Sequence, residues 1–245
     1  MKHTLGCLRR ADEKFSMIDE GDKIAVGLSG GKDSALLLHA LNVYRKFSRK
    51  KYSIVAISVD LGFEGFDEAA LQKMCDKTDV ELHIVKTSIG KIVFDIRQEK
   101  NPCSLCAKLR KGAFYKKAKE LNCNKAAFAH NMDDVIETFF MSLIFESRLN
   151  TLSPVTYLSK RDITLIRPFI YLEETHIKRT VENVGLSTIK NSCPACGNTK
   201  RQEIKELISS FSEDYLDFKK SVIHSIDSIE KYHLWDKTEG KDGVL

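Results

Sequence analysis

A six-residue turn, Ser29-Gly30-Gly31-Lys32-Asp33-Ser34, constrains the fold of this chain more than any other feature. It lies between an apolar run at residues 23–28 and a segment, 33–47, in which Ala35, Leu37, Leu38 and Leu41 recur at helical spacing. The local order is strand, glycine-rich loop, helix. Free N–H groups and the positive end of the helix dipole then meet at the loop, and two adjacent glycines let a phosphate approach the backbone closely. A Walker A loop would need glycine where Val26 stands and a magnesium-binding hydroxyl where Asp33 stands, so this is a different kind of phosphate loop. The bland alternative is a glycine turn with Asp33 or Ser34 as the helix N-cap.

The strand–helix alternation continues. Residues 53–59, 81–85, 125–129 and 162–166 read as strands, and 67–75, 107–121, 132–145 and 173–184 as helices, followed by a charged helical tail over 199–235. Such alternation predicts an α/β fold, a doubly wound parallel sheet with a small C-terminal helical extension. The expected organisation is an N-terminal segment at 1–20, a domain at 21–190 that carries the phosphate loop and a C-terminal part at 191–245. Ligands of these sheets bind at the carboxyl ends of the strands, where the loop at 29–34, Ser58 with Asp60, and the segment 130–134 all fall. No stretch approaches the roughly 18 apolar residues of a membrane span, and residues 1–10 lack a signal-peptide core, so a cytoplasmic location with no membrane partner is expected. A net charge of +5 is compatible with a polyanionic ligand.

Four of the seven cysteines form two Cys-x-x-Cys pairs, Cys103/Cys106 and Cys193/Cys196. An odd count without a signal peptide argues against a disulfide framework and for metal or redox chemistry. Two cysteines at i and i+3 in a turn can grip one metal, so the pairs together fit a four-thiolate structural zinc site as well as an iron–sulfur cluster.

The pattern Ser-Gly-Gly-x-Asp-Ser is the signature of the PP-loop, or N-type ATP pyrophosphatase, superfamily, which this segment resembles. The resemblance implies that ATP is cut between its α and β phosphates as the substrate becomes an adenylate. Ser29, Gly30, Gly31 and Ser34 would cradle pyrophosphate, Lys32 would offset its charge, and Asp33 would orient the loop or hold magnesium. Ser58 and Asp60 would face adenine and ribose. Further along, Cys103-Ser-Leu-Cys106-Ala-Lys-Leu-Arg110-Lys-Gly112, His130-Asn-Met-Asp133-Asp134-Val-Ile-Glu137-Thr138, Arg167-Pro168 and the second cysteine pair are similar to the tRNA 2-thiocytidine synthetases. His130-Asn131 stands where that family has His-His.

That resemblance, covering residues 20–205, implies a [4Fe-4S] cluster held by Cys103, Cys106 and Cys193, with Cys196 as the alternative third ligand. It also implies ATP and Mg2+, His130 in the nucleotide site, Asp133 and Asp134 as magnesium ligands or proton carriers, and Arg110 steadying phosphate charge. Its substrate would be tRNA, by analogy cytidine at position 32, with a cysteine desulfurase or other sulfur donor and a possible homodimer. Two other readings stand beside it: an amide-forming PP-loop ligase with a structural zinc site, and a non-catalytic zinc-ribbon RNA-binding module. Of the basic residues, Arg110, Lys111, Lys200 and Arg201 lie beside the cysteine pairs and are the candidates for RNA phosphates. His176, His224 and His233 fall on expected surface helices without an evident partner.

Overall fold

The computed structural model describes residues 1–98, 102–189 and 200–228. The elements are α1 (Lys2–Phe15), β1 (Lys23–Gly27), α2 (Lys32–Tyr44), β2 (Ser53–Asp60), α3 (Glu68–Asp76), β3 (Glu81–Lys86), α4 (Ile89–Lys91), a π-helical turn (Ile92–Ile96), α5 (Pro102–Glu120), β4 (Lys125–Ala127), α6 (Met132–Glu146), β5 (Val155–Leu158), β6 (Ile163–Ile166), α7 (Glu174–Val184), α8 (Lys200–Asp214) and α9 (Phe218–Asp227). Six strands form one sheet in the order β3-β2-β1-β4-β6-β5. All neighbours are parallel except β5, which runs antiparallel on the edge.

Alternate residues of the central strands feed two cores, as the two-residue period of a strand requires. Ile24, Val26, Ile54 and Ala56 face the larger core, built with α1, α2, α6, α7, α8 and α9. Ala25, Val55, Ile57 and Ala126 face the smaller one, under Phe114, Tyr115 and Ala118 of α5. The α2 helix is buried almost all round, with Leu36, Leu37 and Leu41 at 0% exposure. Each such leucine contributes about 1.5–3 kcal/mol of burial.

The amino-terminal helix is part of this packing. Leu8 and Ala11 are fully buried, and the Asp12 carboxylate accepts from the Ile18 N–H (2.9 Å) and the Tyr44 hydroxyl (2.9 Å), tying α1 to α2.

Several expectations are corrected. Cys103 and Cys106 stand not in a turn but in the first turns of α5, which begins at Pro102. The charged tail is two helices with a break at residues 215–217 rather than one, and its residues beyond 228 lie outside the described residues. His176 is half-buried and packs against His3 with the rings tilted by 32° and their centroids 4.4 Å apart; His224 is exposed, and His233 lies outside the described residues. The antiparallel edge strand β5 has no counterpart among the sequence-predicted strands. Among the described residues no helix is long and apolar enough to cross a membrane.

Strand β1 is where the winding reverses. From it the chain moves to β2 and β3 on one side, then returns to β4 and β6 on the other. The crevice above such a reversal, at the carboxyl ends of the strands, is the ligand position in open α/β sheets.

Candidate active site

The loop after β1 is held by its own serines. The Ser34 hydroxyl donates to the Gly31 carbonyl (2.9 Å) and accepts from the Ser29 N–H (3.1 Å); the two hydroxyls lie 3.1 Å apart. Gly30 has φ +79°, the left-handed region that glycine enters without cost, and a Cβ there would meet Ile189 at 2.9 Å. The N-cap of α2 is Gly31, with no side-chain cap, so neither Asp33 nor Ser34 caps the helix and its first N–H groups are left for a ligand. Asp33 accepts from the Asn131 amide (3.3 Å) and pairs with Lys32 (2.9 Å).

A cleft of about 420 Å³ opens above β1, β2 and β4, within the range of small-molecule sites. Of the residues expected in the site, Ser29, Gly31, Asp33, Ser34, Ser58, Asp60, Arg110, His130 and Asp134 line it. Gly30, Lys32 and Asp133 do not line it. Lys32 is held by Glu174 (3.0 Å), and Glu174 also receives Lys205 (2.7 Å). Burial opposes the charged form of Glu174, but these two ammonium groups override it and hold its pKa down to about 2.

Asp133 and Asp134, adjacent in sequence, have different surroundings. Asp133 is buried, accepts from the Glu174 N–H (2.7 Å) and pairs with Lys219 (2.6 Å), so it joins α6 to α7 and α9. Asp134 completes a capping box with Asn131 at the start of α6, so the capping alternative holds for it. Its other oxygen faces Arg201 at 3.3 Å, and burial raises its pKa. Arg201 is shared with the buried Glu137 at 2.9 Å.

His130 is a deeper anomaly. Burial, then the charges of Arg167, Lys111, Arg201 and Arg110, push its pKa down to about 3, and its Nδ1 is buried without a hydrogen-bond partner among the described residues. The folded chain therefore refuses a proton that the unfolded chain takes up below pH 6.5. Stability from this site is complete above that pH and is lost progressively as pH falls toward 3. His130→Gln will flatten the acid limb of a melting-temperature profile; a limb of unchanged slope would contradict the buried neutral imidazole.

Residues 103, 106, 110 and 114 recur at the i+3 and i+4 spacing that keeps side chains on one helix face. Phe114 and Arg110 of this stripe line the cleft, and Cys106 follows about 6 Å further along the axis. Cys103, beyond it, is exposed. Two cysteines one turn apart on one helix face form a donor pair suited to metal ligation. Cys193 and Cys196 lie outside the described residues, and among the described residues no group of three acidic, histidine or cysteine side chains is poised to hold a metal ion. Residues on both sides of the second pair reach the site. The Ile189 N–H donates to the Gly30 carbonyl (2.8 Å), and Arg201 reaches Asp134.

The profile of the PP-loop domain family matches residues 7–210. The chain belongs to the PP-loop family. Within it, the tRNA-cytidine(32) 2-sulfurtransferase of Geotalea daltonii is 35% identical over 231 residues, covering 93% of this chain and 92% of that protein. The protein of the same name from Citrifermentans bemidjiense is 33% identical, covering 93% and 91%. These likenesses place the protein among the tRNA-cytidine(32) 2-sulfurtransferase-like PP-loop enzymes.

The solved U34-tRNA thiolase NcsA from Methanococcus maripaludis, with its [4Fe-4S] cluster, is a PP-loop relative at TM-score 0.76 and 25% identity, covering 92% of this chain and 77% of that one. The NH3-dependent NAD synthetase of Campylobacter jejuni shares the fold, at TM-score 0.50 and 19% identity over 89% of this chain and 86% of that one.

The sequence reading missed Glu174, Lys205, Phe63 and Ile189, and gave Glu137 no role beyond its place in the motif. Glu174 sits in the first turn of α7 with no motif around it, and its partners come from α2 and α8. Phe63 and Phe66 line the cleft from the segment after β2, and Phe63 meets Phe94 of the π-helical turn edge-on at 5.8 Å. A π-helical turn often marks a functional site, but its hydrogen-bond pattern leaves no simple sequence period.

Proposed function

We propose that this ATP-dependent tRNA thiolase adenylates the C2 oxygen of a tRNA cytidine, at position 32 by likeness to its relatives, and replaces that oxygen with sulfur at an iron–sulfur centre. The observation that carries this reading is the α5 stripe, which runs from two cysteines through Arg110 to Phe114 on the wall of the nucleotide cleft.

ATP's phosphates would lie on the Ser29–Ser34 loop, against the uncapped N-terminus of α2. Asp33 and Asp134, both on the cleft wall, suit a magnesium ion that is otherwise held by phosphate oxygens and water. The base oxygen would attack the α phosphorus, the α–β bridging bond would break, and pyrophosphate would leave with the loop's N–H groups carrying its charge. Arg110, at the cysteine side of the cleft, would offset the charge of the adenylate. Sulfur would then add at C2, and AMP would depart with the former base oxygen. His130, neutral and half-buried on the cleft wall, would hydrogen-bond there without adding charge. Asp133 has no part in this chemistry; its contacts hold α7 and α9 in place.

Cys103, Cys106 and Cys193, with Cys196 as the alternative, would hold the [4Fe-4S] cluster, whose iron without a protein ligand supplies a place for sulfide. Two observations support this: the thiol pair at the amino end of α5, and the contacts of Ile189 and Arg201, on either side of the second pair, with the nucleotide cleft. A closed four-cysteine zinc site would leave no open position and could serve structure alone.

Anaerobic purification with metal and sulfide analysis tests the reading. About four iron and four sulfide per chain, with visible absorption that bleaches in air, is the expected result. One zinc and no iron would overturn the sulfur chemistry and favour an amide-forming ligase on the same loop.

A further inference from the structure

We propose that Lys111 and Arg167 form a second anion subsite, distinct from the nucleotide loop, that takes an RNA phosphodiester beside the base entering the cleft. This rests on the reading of tRNA as substrate. Arg167 follows β6 and is only 7% exposed. Its Nη1 donates to the Ser153 carbonyl and to the Thr156 hydroxyl (3.4 Å), while its Nε is buried with no hydrogen-bond partner among the described residues. No carboxylate of the described residues lies within ion-pair distance of it, or of Lys111 and Arg110 on the cleft wall. Burial and then the charges of Arg167 and Arg110 lower the proton affinity of Lys111, the mark of a cation crowded by cations. Beside them His130 stays neutral, and Arg201 is already matched by Asp134 and Glu137.

A cluster of positive charge with no protein counter-ion is costly unless an anion completes it. The nucleotide loop is not the evident claimant, because its donors come from α2 on the facing core of the sheet, whereas these cations come from α5 and the end of β6. The charge is also graded along α5. Lys117 and Lys119, far from the cysteines, are matched by Glu120 and Asp162. Lys108, Arg110 and Lys111, near them, lack such partners among the described residues. An extended polyanion suits this gradient better than one small ion does. A base drawn out of its stack into the cleft would bring its own phosphodiester to this rim.

The test is tRNA binding by the full-length protein across a salt series, with ATP binding measured separately on the same samples. Lys111→Gln should weaken tRNA binding about tenfold near physiological salt and reduce the slope of log K against log salt by about 0.7–0.9. ATP affinity should be unchanged, and Lys111→Arg should restore tRNA binding. Arg167→Met should act in the same direction; because Arg167 is buried and bonded to β5, Lys111→Gln carries the test if that variant fails to fold. An unchanged tRNA slope in Lys111→Gln would overturn the subsite and leave the sulfurtransferase reading standing. A matching loss of ATP affinity would reassign these cations to the triphosphate. Absence of tRNA binding by the unsubstituted protein would remove the substrate reading and the subsite with it.

Discussion

Replacing Cys103 by alanine will abolish tRNA thiolation, by about a thousandfold or more, while ATP affinity stays within about twofold of the unsubstituted protein. The two effects separate because Cys103 is exposed and stands well along the α5 stripe from the residues that line the cleft. Its removal creates no cavity and disturbs no buried hydrogen bond, so the fold and the loop at 29–34 should be untouched. Mass spectrometry of digested tRNA reads the thionucleoside, and equilibrium binding reads ATP. Ordinary thiolation by Cys103→Ala would sink the cluster mechanism. Loss of ATP binding in parallel would place the cysteine pair inside the nucleotide site.

The second large effect is expected from Ser34→Ala. Ser34 is 5% exposed, and its hydroxyl meets the Gly31 carbonyl, the Ser29 N–H and the Ser29 hydroxyl. One oxygen therefore fixes the curvature that turns the α2 N-terminus toward a phosphate. Preorganised donors of this kind are worth about 10²–10³ in rate, so tRNA-dependent exchange of pyrophosphate into ATP should fall by that factor. Asp33→Ala should lower the exchange too, by removing the carboxylate that Asn131 and Lys32 hold in place. Exchange at the original rate in Ser34→Ala would contradict the assignment of the loop.

How much of this was legible in the sequence depends on the range of the interaction that fixes each feature. The phosphate loop was readable because a strand, two glycines and a helix start are all local signals. The cysteine pair was placed in a turn, as metal half-sites usually are, but α5 already begins at Pro102, and proline is well tolerated in the first turn of a helix, where its missing N–H is not needed. Asp133 and Asp134 could not be told apart from spacing. About 100° of helical rotation separates them, and only the packing of α7 and α9 decides which one reaches the cleft. Glu174 and Lys205 were invisible for the same reason, and Arg201, expected at RNA phosphates, pairs instead with Asp134 and Glu137. Their partners lie on other elements, and isolated charges on helical faces look like solvated surface.

The hydrogen bond between Ile189 and Gly30 makes the nucleotide pocket a joint product of distant stretches of chain. Its floor is written near the amino end, but one wall, the brace on Lys32 and the clasp on Asp134 arrive only with α7 and α8. A polypeptide cut after β4 would retain every glycine and serine of the signature yet lack the pieces that give it shape. The motif cannot be grafted as a cassette, and during synthesis the emerging chain has no finished nucleotide pocket until the carboxyl-terminal helices have docked.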